Sequence, residues 1–163
     1  MDDELHAAAR RTIELCTARH LTIATAESCT GGLVVGALTE IPGSSAVVLC
    51  GFITYSNAAK ESMLGVPSEV LQRHGAVSQA TAQAMAQGAL AISPADLAVA
   101  ITGVAGPGGG SPDKPVGLVH LAAAARTGAR MTRAERFGEV GRSEVRRRSV
   151  LAALTMLGQL ASG

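Results

Sequence analysis

The sequence predicts a single three-layer α/β/α domain, residues 1–163, on a mixed sheet of about five strands. Three observations carry that expectation. Short apolar segments of strand character alternate with helical ones, over a length suited to one core. The composition is 47% hydrophobic but only 2% aromatic, so the core must be built from Ala, Val, Leu and Ile. Finally, the segments from 97 to 137 read as strands joined by loops alone, which adds antiparallel neighbours to an otherwise parallel sheet.

Residues 3–19 carry Leu5, Ala9, Ile13 and Cys16 on one helical face, with Asp2, Asp3 and Glu4 at the end where the helix dipole favours acids. "LTIATAES" reads as a buried strand ending at a turn on Ser28, and "TGGLVVGALTEI" as the helix that follows, stopped by Pro42 and Gly43. "AVVLCGFITYS" is a β-branched second strand. Residues 57–64 and 68–74 form short helical pieces around Pro67, and "SQATAQAMAQGALAI" an Ala-rich helix with Ser78 as its cap. "DLAVAIT" is the third strand and leads into the Gly/Pro-dense stretch "GVAGPGGGSPDKPVG". "VGLVHLAAA" is the fourth, and the charge-rich "RMTRAERF" the fifth, placed at an edge. The last helix covers 142–161, with Val145, Ala152, Met156 and Leu160 on its apolar stripe.

Net charge is +1, and one tyrosine and two phenylalanines leave almost nothing for bases to stack on; nucleic-acid binding is therefore not expected. Three cysteines without a CxxC spacing argue against a zinc site or a disulfide framework. The four histidines share no ligand spacing. No apolar run spans a bilayer and the N-terminus is acidic, which fits a cytoplasmic protein without a membrane partner.

Three stretches can hold chemistry. In "TAESCTGG" a strand stops at Ser28 and turns into a helix whose free N–H groups can stabilise an oxyanion, while Gly31 and Gly32 let a substrate approach the backbone. Ser28 is a candidate nucleophile. Cys29 is the alternative nucleophile or a packing residue, and Ser28 or Thr30 can equally be a plain helix cap. In "TYSNAAK", Lys60 is one of two lysines among twelve arginines. Lysine can lose its proton when buried and arginine cannot, so Lys60 is the candidate base for Ser28, with the lone tyrosine, Tyr55, beside it. In "ITGVAGPGGGSPDKPVG", Thr102 ends a strand as Ser28 does, and glycines such as Gly106, Gly108 and Gly109 can cradle a phosphate; the stretch is no P-loop. Arg142 and Arg146, four apart on the last helix, suit a shared grip on a phosphate or carboxylate.

Together, "TAESCTGG", "PGSSAVVLCGFITYSNAAK", "LGV", "HGAVS" and "ITGVAGPGGGSPDKPVG" resemble the C-terminal domain of the competence/damage-inducible family, CinA, over about residues 5–160. A chain of this length resembles the stand-alone nicotinamide-nucleotide amidase form. The resemblance implies hydrolysis of nicotinamide mononucleotide to nicotinate mononucleotide and ammonia, without metal or organic cofactor, in a homo-oligomer. It implies Ser28 as nucleophile, Lys60 as base, and Tyr55, Thr102 and Arg142 in the same site, with the "GPGGG" loop along the nucleotide pocket. Where the family usually has an F-x-G-D-R type sequence, this chain has "FGEVGR", Phe137 to Arg142, with no aspartate and one extra residue. The competing expectation is a non-catalytic pyridine-nucleotide-binding module or sensor tied to competence or DNA damage.

Overall fold

The computed structural model describes residues 1–163. The elements run α1 (Asp3–Ala18), β1 (Ile23–Glu27), α2 (Leu33–Thr39), a 3-10 turn (Ser44–Ala46), β2 (Val48–Ile53), α3 (Asn57–Leu64) and α4 (Ser68–His74). They continue α5 (Gln79–Ile92), β3 (Leu97–Gly103), β4 (Leu118–Ala125), β5 (Arg130–Arg136) and α6 (Arg142–Ser162). The five strands lie in the order β2-β1-β3-β4-β5. β1 pairs parallel with β2 and β3, and the loop-linked β3, β4 and β5 are antiparallel neighbours, so the sheet is mixed as expected. Arg-rich β5 is one edge and the uncharged β2 the other.

The scarcity of aromatics is resolved by an asymmetric sheet. Side chains alternate across a strand. One face presents Ile23, Leu97, Val99, Ile101, Val119 and Leu121, packed against α1, α2 and α6. The other face is nearly all alanine: Ala24, Ala26, Ala98, Ala100, Ala122 and Ala124. Register places these alanines side by side across the strands. The Ala-rich α5 lies on this face with Ala82, Met85, Ala86 and Ala89. Small side chains on both surfaces bring helix and sheet close without large residues.

The close approach continues beyond α5. A Cβ at Gly88 would lie 1.9 Å from the carbonyl oxygen of Leu64, the last residue of α3. Gly88→Ala is expected to destabilise the fold by about 3 kcal/mol through overpacking, a loss that urea unfolding would measure.

The strand ends are also tied together. Ser28 N–H donates to Ile101 O at 2.9 Å and Thr54 N–H to Glu27 O at 2.8 Å. The residues just past β1 and β2 are thereby held beside the end of β3, at the carboxyl edge of the three parallel strands, where α/β sheets open a crevice.

Candidate active site

At that edge Lys60 Nζ lies 2.9 Å from Ser28 Oγ. The chain delivers both groups by local rules. Ser56 caps α3 by accepting from Ala59 N–H, and Lys60 sits one turn in. Helical side chains lean toward the N-terminus, so Lys60 reaches back over the end of β2. Its amine donates to Thr54 O at 2.8 Å and Tyr55 O at 3.3 Å.

Lys60 is 1% exposed and no carboxylate forms a salt bridge with it. Burial pushes its pKa below the ordinary lysine value, because a buried cation without a counter-ion is costly. Desolvation is the one cause that lowers it, as the sequence reading of a buried lysine requires. A neutral amine has two N–H groups and one lone pair. Two carbonyls accept the N–H groups, which leaves the lone pair for the proton of Ser28.

Ser28 and Lys60 line a cleft of about 290 Å³ together with Tyr55, Thr102, Gly106, Gly108, Gly109 and Arg142. Thr102 forms a wall and donates its hydroxyl proton to Ala76 O at 2.8 Å. Arg142, the first residue of α6, donates to Gly106 O at 2.9 Å and to Tyr55 Oη at 3.0 Å. It thus bridges the glycine loop and the end of β2 across the cleft. Tyr55 meets Lys60 through its backbone carbonyl, and the residue, 61% exposed, stands at the rim.

The remaining expected site residues lie elsewhere. Gly31 and Gly32 do not line the cleft, and both of their N–H groups are already taken, by Ser28 O and the Glu27 carboxylate. Their left-handed φ values of 58° and 99° explain why glycines stand there: they close the turn between β1 and α2. The helix N–H groups first expected to hold an oxyanion, those of Gly32 to Val35, are likewise taken by Glu27 and Thr30 O. Arg146 is not beside Arg142 in the cleft; it donates to Cys29 O and Thr30 O. A paired grip of the two arginines on one anion is therefore absent.

Sequence reasoning missed Glu27. Neither Ser28 nor Thr30 caps α2; its N-cap is Gly32, which has no side chain to offer. The Glu27 carboxylate, fully buried, does the capping instead. It accepts from Gly32 N–H (3.0 Å), Val34 N–H (3.1 Å), Val35 N–H (2.9 Å) and Thr30 Oγ1 (2.6 Å). One anion at the positive end of a helix dipole explains its burial. The available signal was an acidic residue closing an apolar strand just before a helix. Glu27→Ala leaves these donors unpaired and is expected to cost about 3 kcal/mol. Thermal unfolding should then fall by roughly 6–12 °C.

Cys29 is buried beside Ser28, and burial pushes its thiol up to about 12. It is a thiol, not a thiolate, near neutral pH. No three His, Cys, Asp or Glu side chains converge where a metal ion could sit, and no helix is long and apolar enough to cross a membrane.

Fold and site together define an α/β domain with a serine–lysine pair at the carboxyl edge of a mixed sheet. The chain belongs to the CinA C-terminal domain family, which matches residues 5–161. It is 53% identical over 142 residues to a CinA-like protein of Mycolicibacterium vanbaalenii, covering 87% of this chain and 33% of that protein. It is 58% identical over 112 residues to a putative competence-damage inducible protein of Symbiobacterium thermophilum, covering 69% and 26%. The chain thus spans about a third or less of the length of these curated relatives. Among solved structures, competence/damage inducible protein CihA of Agrobacterium tumefaciens superposes with a TM-score of 0.97 at 54% identity, covering 100% of this chain and 98% of that one. A CinA superfamily protein of Escherichia coli superposes at 0.88 with 34% identity, covering 98% and 93%.

Proposed function

We propose that this domain hydrolyses the carboxamide of nicotinamide mononucleotide to nicotinate mononucleotide and ammonia, with Ser28 as nucleophile and Lys60 as base. The observation that carries the reading is the 2.9 Å contact between Ser28 Oγ and a buried amine with no acidic partner. Lysine in that state can take a proton from a serine, which a solvated lysine cannot do at neutral pH.

The steps balance as follows. Neutral Lys60 takes the Ser28 proton, and Oγ bonds to the carboxamide carbon. The C–N bond then breaks, and the proton on Lys60 leaves with the nitrogen as ammonia. Water attacks the acyl-enzyme, Lys60 takes its proton, and Oγ departs with that proton restored. The positively charged pyridinium ring makes the amide carbon more electrophilic and helps a modest nucleophile. The oxyanion goes to N–H groups without a protein acceptor; those of Cys29 and Thr30, next to the nucleophile, fit. Tyr55 does not relay the proton in this scheme, because its hydroxyl is held by Arg142 at the rim. Arg142 and the Gly106–Gly109 loop receive the phosphate end, and Thr102 shapes the wall.

An assembly of identical subunits is part of the proposal. The β2 edge is uncharged and exposes Leu49 and Ile53, unlike the Arg-studded edge at β5. The reaction and its phosphate dependence are tested together by measuring ammonia released from the mononucleotide, its riboside and free nicotinamide. The proposal expects the mononucleotide to be preferred. Binding without ammonia release would favour a non-catalytic sensor.

A further inference from the structure

Arg146 is the guanidinium left over once Arg142 is assigned to the cleft. It lies one turn further along α6, and its fork is turned toward the loop that carries Ser28. Nε donates to Cys29 O and Nη2 to Thr30 O, each at 3.1 Å. Glu27 holds the same loop by another handle, accepting from Thr30 Oγ1 and Gly32 N–H. Gly31 leaves just enough room, since a Cβ there would lie 3.4 Å from Arg146 Nη2.

We propose that Arg146 is a positioning residue for the nucleophile: its forked grip on the Cys29 and Thr30 carbonyls, together with Glu27, keeps Ser28 Oγ in register with Lys60. The proposal rests on the amidase reading and adds to it a residue that does not meet substrate. A turn closed by two glycines at positive φ has little stiffness of its own. A planar guanidinium can hold two successive carbonyls at once, whereas an ammonium is a single point of contact. With both carbonyls turned to Arg146, the peptide groups of the loop cannot rotate freely, and the free N–H groups of Cys29 and Thr30 stay where the chemistry needs them. α6 therefore serves the site twice, through Arg142 on the two rims of the cleft and through Arg146 under the nucleophile.

The test uses Arg146→Met and Arg146→Lys. Turnover is measured on the mononucleotide and the riboside, and iodoacetamide labelling of Cys29 and Cys16 is followed by peptide mass. Both thiols are buried in the same core, so Cys16 reports global opening and Cys29 the loop. The proposal expects Arg146→Met to lower kcat roughly a hundredfold on both substrates, with KM for the mononucleotide little changed. Cys29 should label about tenfold faster while Cys16 stays protected. Arg146→Lys should fall between Arg146→Met and the wild type in both readouts.

A rise in KM confined to the mononucleotide would make Arg146 a phosphate ligand and overturn the proposal. So would wild-type kcat with Cys29 still protected, or Cys29 and Cys16 opening together. If the wild type released no ammonia, the amidase reading would fall; the labelling comparison needs no turnover and still decides whether Arg146 holds the loop.

Discussion

Replacing Ser28 by alanine is expected to reduce ammonia release by roughly a thousandfold or more while the protein stays folded. The substitution deletes one oxygen. Thr54 O and Tyr55 O still accept from the Lys60 amine, so no buried group is stranded. The stability change should be about 1 kcal/mol, visible as a shift of only a few degrees in thermal unfolding. Cys29→Ala supplies the contrast. The neighbouring thiol also lines the cleft, but burial pushes it up to about 12 and keeps it protonated near neutral pH, so this variant should keep most of its turnover. The pair separates the two candidates that adjacency in sequence left open.

The second large effect belongs to Lys60. Lys60→Met keeps an unbranched chain of similar length and removes the base, and Lys60→Arg keeps a cation that does not give up its proton. Both should lose turnover by roughly a thousandfold. Retained activity in Lys60→Arg would mean that positive charge, not basicity, is what the site uses. The depressed pKa also has a thermodynamic sign. Above the ordinary lysine value, near ~10.4, the amine is neutral whether the chain is folded or not, and it carries no penalty. As pH falls below that value the unfolded chain takes up a proton that the folded chain resists, so stability drops until the folded pKa is passed. Between the two pKa values the wild type therefore gains stability with rising pH. Cys16 and Cys29 oppose this, since their thiols are raised above the ordinary 9.0 and favour the folded state less as pH rises. The quantity to measure is therefore the difference in unfolding free energy between wild type and Lys60→Met as a function of pH. The Lys60 contribution should grow with pH over that window. The acid limb of the kcat profile should report the same group, at a pKa below that of a free lysine.

The fold was largely legible because its signals are local. Alternating apolar strands, the Ser78 cap and the loop-only links from β3 to β5 can each be read from a few residues. Ser28 and Lys60 were legible for a different reason. A lysine in an arginine-rich chain and a serine at a strand end are residue choices with chemical meaning, and the motifs around them matched a known family. What could not be read was how hydrogen bonds are divided. Gly31 and Gly32 looked like the place where a substrate meets the backbone, but they lie outside the cleft and their N–H groups already serve Ser28 O and Glu27. Arg142 and Arg146 share a helical face by spacing, yet one crosses the cleft and the other holds the loop after Ser28. Helical periodicity sets the face from which a long side chain departs, not which of several carbonyls it reaches. Glu27 stayed hidden because its partners are main-chain amides, which leave no residue pattern to detect.

The central claim is that Ser28 becomes acylated. Rapid quenching of the enzyme during turnover of nicotinamide mononucleotide, followed by peptide mass mapping, tests it most directly. The account predicts a nicotinate mononucleotide acyl group on the peptide containing Ser28, absent from Ser28→Ala. The same adduct on Cys29, or undiminished ammonia release from Ser28→Ala, would contradict it.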